Sequence, residues 1–284
     1  MNFATLPNSE LPESPPVLQR AKGIACIGTK QRDGKTCIDT LFQEGCGKIR
    51  LPRTHSSALE AVFINTAGGI TGGDHLQWGA DVAPGGRLVI TTQACERSYR
   101  STGDTAHVEA DVTVGANAHL DWLPQETILF AASRLDRRLT IRLDEGATLT
   151  AIEAVLLGRG AMGEEARDAR FSDTWRIYRQ NRLIHAEATR LAGDGSERDG
   201  LSLLRGCRAF ASVLHVAASP DMAELMLNRV RTLHPGNGLI AASANGERLV
   251  VRAMAPTGLA LRKLLVPTLI ELTGAGSLPR LWHL

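Results

Sequence analysis

Long apolar runs are missing from this chain. No stretch approaches the roughly 18 apolar residues a membrane-spanning helix needs. Residues Met1 to Arg20 show no basic segment leading into an apolar one, so neither a membrane span nor a signal peptide is expected. Aromatic residues make up only 4% of the 284 positions, which argues against a lectin-like sugar platform of exposed rings. A charge excess is lacking too. The formal net charge is +2 and the arginines are spread along the whole chain, whereas nucleic-acid binding shows as clustered basic residues. The five cysteines, Cys26, Cys37, Cys46, Cys95 and Cys207, form no C-x-x-C pair, which fits reduced thiols in the cytoplasm and disfavours a structural zinc site.

Catalytic signatures are equally sparse. No serine sits in a G-x-S-x-G setting, and no cysteine has a local histidine with an orienting partner. The eight histidines make no H-x-H or H-x-x-x-H pair, so no preformed transition-metal cage is encoded locally. An all-β hydrolase or lyase with a site assembled from distant residues stays open as an alternative to a non-enzymatic assembly factor.

What the chain does contain is strands. From Ala21 onward, short alternating runs such as GIACIG, TCIDTLF, KIRLP and LEAVFIN are bounded by Gly, Pro, Asp or charge clusters. Residues 1–19, with Pro7, Pro12, Pro15 and Pro16, read as a flexible arm, and 20–284 as one domain. Turn glycines Gly85, Gly115 and Gly146 each precede a fresh apolar strand at spacings of 115 − 85 = 30 and 146 − 115 = 31 residues. That period suits stacked strand-turn-strand layers, and it also suits chance hairpin spacing. Helices are few. Asp221 to His234 places Met222, Leu225, Met226 and Val230 on one face, with Asp221 as the cap and Gly236 beyond the end. A second helix is expected over Gly258 to Leu272, bent or divided at Pro267, and the sequence between the two predicts a hairpin turning at Asn245 and Gly246.

The most unusual stretch is AVFINTAGGITGGD, Ala61 to Asp74. Gly68, Gly69, Gly72 and Gly73 require either positive φ or a backbone closely approached by another group. Without the Lys-Ser/Thr of a phosphate loop, and with Asp74 following, it reads as a tight strand-to-strand turn. Carboxylates in apolar or Gly-rich settings are the other anomaly: Asp74, Glu126, Glu153 inside LTAIEAVLLG, and Glu164 beside Glu165. A carboxylate among apolar neighbours costs several kcal/mol unless paired, protonated, hydrated or bound to a cation. Pairing with Arg134, Arg137, Arg138, Arg142, Arg159 or Arg167 is one solution, and a hydrated passage lined by oxygen ligands that hold a divalent ion weakly is the other. Arg97, Tyr99 and Arg100 fit either a protein interface or internal pairing. Trp78, Trp122, Trp175 and Trp282 read as core or rim packing.

Four of these segments also carry a likeness. TAGGITGGD from Thr66, TTQACERSYRS from Thr91, LPQETILF from Leu123 and LGRGAMGEE from Leu157, with LPR at Leu278 to Arg280, together resemble the urease accessory protein UreD family, called UreH in some organisms. The likeness covers residues 20–284. It implies a mainly β, solenoid-like stack of sheet layers with the two C-terminal-half helices covering one face. It further implies a cytoplasmic, non-enzymatic maturation factor that binds apo-urease, UreF and the GTPase UreG, and through which nickel passes transiently, with no permanently bound cofactor. Carried over residue by residue, Asp74, Glu126, Glu153 and Glu164 are the expected nickel-conducting carboxylates. Thr66, Gly68, Gly69, Gly72 and Gly73 shape the adjoining turn, and Arg97, Tyr99 and Arg100 are, on residue type alone, the candidate partner contact.

Overall fold

A computed structural model describes residues 19–54, 56–192, 195, 197–233, 238–274 and 276–283. The expected proline-rich arm lies outside these residues except for Gln19. The first described elements are a hairpin of β1 (Lys22–Arg32) and β2 (Lys35–Gly45), turned by Asp33 and Gly34 at φ 50° and 71°. Two positive φ values in a two-residue loop match the right-handed twist of the flanking strands. β3 (Gly47–Arg50) and β4 (Leu59–Asn65) follow. Three units then repeat one form: β5 (His75–Val82), β6 (Arg87–Thr92) and the short β7 (Glu96–Ser98); β8 (Ala106–Val114), β9 (His119–Leu123) and the short β10 (Thr127–Leu129); β11 (Arg134–Leu143) and β12 (Thr148–Leu157). The chain continues through β13 (Arg170–Arg179), β14 (Arg182–Ala192), β15 (Ala209–Val216), α1 (Pro220–Thr232), β16 (Leu239–Asn245), β17 (Arg248–Ala255) and α2 (Gly258–Thr273).

The first strand of each repeat enters one sheet and the second enters another, so the chain coils. One sheet runs β14-β13-β11-β8-β5-β1-β2, and the other runs β16-β17-β15-β12-β9-β6-β4-β3. Pairing is parallel from β5 through β8 to β11, and from β4 through β6 and β9 to β12. The result is the solenoid-like stack of layers that the resemblance implies.

The register gives the true period. Arg87, His119 and Thr148 stand side by side, so the steps are 119 − 87 = 32 and 148 − 119 = 29 residues. The turns stack as well: the Gly85 amide donates to the Ala116 carbonyl at 2.8 Å and the Asn117 amide to the Glu145 carbonyl at 2.9 Å. The left-handed positions are Gly85, Asn117 and Gly146, at φ 68°, 54° and 67°. Gly115 is therefore not the equivalent of the other two, and Asn117 takes that place because its short polar side chain tolerates the left-handed region. Gly115 is needed for close approach instead, since a Cβ there would lie 2.8 Å from Val82 O.

Alternation places Val82, Leu88, Val112, Val114, Leu120, Ile141, Leu143 and Leu149 in one core between the sheets. The helices bury the outer face of the second sheet, where Ile152, Ala154, Val213 and Val251 meet Leu227, Leu261, Leu265 and Leu269. β12 is thus covered on both faces, which explains its near-continuous apolar sequence.

Details of the helices differ from expectation. α1 is capped by Ser219, whose hydroxyl accepts from the Met222 amide at 3.3 Å, with Pro220 in the first turn. Its buried residues are Ala223, Leu227 and Val230, while Met222 and Leu225 are exposed. Of the expected face, Val230 is thus buried and Met226 packs partly buried against the same core, while Ala223 and Leu227 take the places expected for Met222 and Leu225. The expected end at His234 and Gly236 lies outside the described residues. α2 runs unbroken through Pro267, and beside it the Thr268 hydroxyl donates to the Leu264 carbonyl at 2.8 Å. The β16–β17 turn is Gly246–Glu247, one residue later than expected, because Asn245 still pairs with Arg248. Among the described residues no helix is long and apolar enough to cross a membrane.

Candidate functional site

The glycine stretch links β4 in one sheet to β5 in the other. Gly68, Gly69 and Gly73 have φ of 77°, 146° and 89°. A Cβ on Gly69 would strike the Tyr99 ring, and one on Gly72 would strike the Ser101 hydroxyl and the Asp104 carbonyl. Both kinds of constraint foreseen for these glycines therefore occur. The turn is stitched to the strand-end segment: the Ile70 amide donates to the Arg97 carbonyl and the Tyr99 amide to the Ile70 carbonyl, each at 2.8 Å. Thr66 donates its hydroxyl to the Cys46 carbonyl at 3.1 Å. Arg97, Tyr99 and Arg100 are exposed on this edge, and the Tyr99 ring meets Phe130 edge-on at 5.1 Å.

Beside this turn, a cleft of about 460 Å³ enters between the sheets, with Phe63, Trp78, Trp122, Glu96, Arg137 and Glu153 among its lining. Trp78 and Trp122 pack against Phe63 at ring distances of 5.3 and 6.2 Å. These rings give the cleft apolar surface, to which Glu96, Arg137 and Glu153 add charged groups.

Glu153 is held there by two groups. Arg137 NH1 lies 2.6 Å from its Oε2, and Trp122 Nε1 donates to its Oε1 at 3.2 Å. The same guanidinium forks onto Asp173, with Nε to Oδ1 at 3.1 Å and NH2 to Oδ2 at 3.0 Å, and it donates through NH1 to Thr127 Oγ1 at 2.9 Å. Trp175 Nε1 closes the set on Asp173 at 3.2 Å. Two buried carboxylates thus share one buried arginine, which leaves one negative charge in excess. Burial, opposed by Arg137 and reinforced by Asp173, holds the Glu153 carboxyl above the usual carboxylate range.

Glu96 lines the same cleft. Its half-buried carboxyl accepts from Asn65 Nδ2, 3.3 Å from each oxygen, and no ion pair to it occurs among the described residues. Burial pushes it up to about 7. Next to it, burial and the Glu126 carboxylate push the Cys95 thiol up to about 12, so this thiol is not a ready thiolate ligand.

The other three expected carboxylates stand elsewhere. Asp74 spends one oxygen on the Ala21 amide at 2.8 Å and the other on the Thr71 amide at 2.7 Å, fastening the turn. Glu126 is gripped by Arg262 of α2, Nε to Oε1 at 3.0 Å and NH2 to Oε2 at 2.6 Å. Glu164 accepts from the Ala131 amide at 2.9 Å and from Arg159 Nε at 2.6 Å. Of the four, only Glu153 lines the cleft.

Sequence reasoning set no role on Glu96, Asp173 or Arg262. A signal for the Arg137–Asp173 pair was nonetheless present. Arg137 falls in phase with Leu135, Leu139, Ile141 and Leu143, and Asp173 with Phe171, Trp175 and Ile177, so both point inward with the apolar residues of β11 and β13.

Among the described residues no three His, Cys, Asp or Glu side chains stand together as a metal cage. The nearest approach to a catalytic chain is Thr148–His119–Asp121, with His119 Nδ1 at 2.7 Å from the Thr148 hydroxyl and Nε2 at 2.8 Å from Asp121 Oδ1. It lies on the helix-covered face of the second sheet and does not line the cleft.

Fold and site together define a β-solenoid scaffold with a charged cleft between its sheets. The chain belongs to the UreD urease accessory protein family, whose model matches residues 21–283. It is 57% identical over 271 residues to "Urease accessory protein UreD" of Chelativorans sp. (strain BNC1), covering 95% of this chain and 97% of that one. Proteins of the same name from Rhizobium rhizogenes and Agrobacterium fabrum are 47% and 45% identical over 267 residues each, covering 94% of this chain and 96% and 92% of theirs.

Proposed function

We propose that this chain is a cytoplasmic urease maturation factor that binds apo-urease, UreF and UreG and helps deliver nickel to the urease active site, without catalysing a reaction itself. Membership of the UreD family supports the maturation role. The cleft supports the handling of a cation, and one observation carries that step: Glu153 shares a single arginine with Asp173 at the wall of an open inter-sheet space. Oxygen donors with an uncompensated negative charge attract a divalent ion but, being few, release it again. Nickel is cargo in this reading. Of the four carboxylates first considered, Glu153 contacts the ion, whereas Asp74, Glu126 and Glu164 hold the walls. Arg97, Tyr99 and Arg100, exposed beside the cleft, are the proposed partner contact.

Glu153→Gln tests the reading in a reconstitution of apo-urease with this chain, UreF, UreG and limiting nickel. Arg137 keeps Asp173, so folding and complex formation stay near normal while activation slows. Activation at the wild-type rate under limiting nickel would remove Glu153 from the path.

A further inference from the structure

A second cleft, of about 300 Å³, lies where the loop after β12 meets the segment before β15, and three guanidinium groups line it, those of Arg167, Arg198 and Arg208. Two have partners. Arg167 Nε donates to Glu165 at 2.6 Å and its NH1 to Asp199 at 2.9 Å. Arg208 NH2 donates to the carbonyl oxygens of Leu157 and Glu164, neutral acceptors that leave its charge uncompensated. Arg198 is the exception. It is 9% exposed, and among the described residues its NH1 is buried without a hydrogen-bond partner. The carboxylates around it are engaged elsewhere, Glu165 and Asp199 with Arg167, and Asp168 with the Ala132 amide at 2.8 Å.

An unsatisfied buried donor costs about 1–3 kcal/mol, and more when it is charged. Here burial and the neighbouring Arg167 charge disfavour the cationic form of Arg198 by more than the Asp199, Glu165 and Asp168 carboxylates favour it, which pushes its pKa below the ordinary arginine value. A native structure keeps such a group only where something offsets that cost. Guanidinium forks match the paired oxygens of phosphate and carboxylate, and clustered arginines are a common way to recognise them. The volume sits at the lower end of the range for small-molecule sites, which sets an upper limit on the occupant.

We propose that this cleft binds a small oxyanion, a phosphate or a compact polycarboxylate, through Arg198 and Arg208. The anion accepts from Arg198 NH1, the donor left without a partner, and from the Arg208 guanidinium beside it. It thereby ties the loop after β12 to the segment before β15. The site is separate from the inter-sheet cleft and does not depend on the nickel reading.

Cys207 lines the same cleft and is partly accessible, so it reports occupancy locally. The test alkylates the full chain with iodoacetamide, a neutral reagent unaffected by charge screening, and follows each cysteine by peptide mass spectrometry, with inorganic phosphate and citrate as probes. At about ten times its dissociation constant, a bound probe slows Cys207 labelling about tenfold and leaves Cys37 unchanged. Arg198→Gln abolishes the protection and Arg208→Gln weakens it, with circular dichroism unchanged in both. Protection by one probe alone names the preferred oxyanion. Absence of protection by either, or equal protection in both variants, overturns the site.

Discussion

The arginine–carboxylate sets at Glu126 and Glu153 both hold a buried carboxylate, and they are built on opposite terms. At Glu126 one carboxylate meets one guanidinium in a bidentate fork that spans 136 residues of sequence and ties α2 to the segment between β9 and β10. At Glu153 a single guanidinium serves two carboxylates, and the site faces an open cleft. A balanced pair is a staple. An unbalanced one keeps a charge that a cation or a proton can answer, at the expense of stability. That contrast separates the fastening role of Glu126 from the proposed transport role of Glu153.

The largest effect is expected from removing the shared cation. Arg137→Met leaves Glu153 and Asp173 buried with no counter-charge, and removal of one partner from a buried ion pair costs about 3–5 kcal/mol. Urea denaturation monitored by tryptophan fluorescence measures it, and Trp122 and Trp175 sit on the two carboxylates as local probes. A loss below that seen for the balanced pair would mean that the unbalanced set does not bear the stronger electrostatic load.

Arg262→Met breaks the balanced pair and should cost less, about 2 kcal/mol, because the Arg262 side chain retains some solvent contact. The damage should stay local. Hydrogen exchange should quicken in α2 and around Trp282, on which Arg262 stacks at 5.3 Å, and stay unchanged in β11 and β13. Faster exchange across β11 would show that the two sets are coupled rather than independent.

The degree to which all this was legible in the sequence follows distance along the chain. The mainly β class and the layered repeat rest on turn residues and alternation within one strand-turn-strand unit, so local pattern sufficed. Even so, Gly115 drew attention from Asn117, because a glycine signals a turn more loudly than an asparagine in the same conformation. Glu153 stood out because its own strand is apolar, and Arg137 was among its foreseen partners. Arg262 could not be foreseen for Glu126, since only the docking of α2 brings them together. Glu96 carried no assigned role because its environment is made at a distance: the Asn65 amide that meets its carboxyl lies 31 residues away along the chain.

Glu96 gives the smallest and most diagnostic effect. Its carboxyl sits at about 7 because burial disfavours the charged form by more than the Asn65 amide and Arg97 favour it. With a folded-state value above the unfolded one, the folded protein holds the proton across the window between them and the unfolded chain does not. Stability from this group is then fully present below the ordinary carboxylate range and declines as pH rises toward 7. Glu96→Gln, which cannot ionise, should flatten that decline, so the variant and the wild type match near pH 4 and the variant is the more stable near pH 8. Urea midpoints at a series of pH values measure the difference. Glu153 is displaced in the same direction by the same cause, so a residual slope in Glu96→Gln that disappears in the double variant with Glu153→Gln would assign both carboxyls to one proton-holding cleft. An unchanged slope in Glu96→Gln would instead place the cleft's excess charge on the Arg137 set alone.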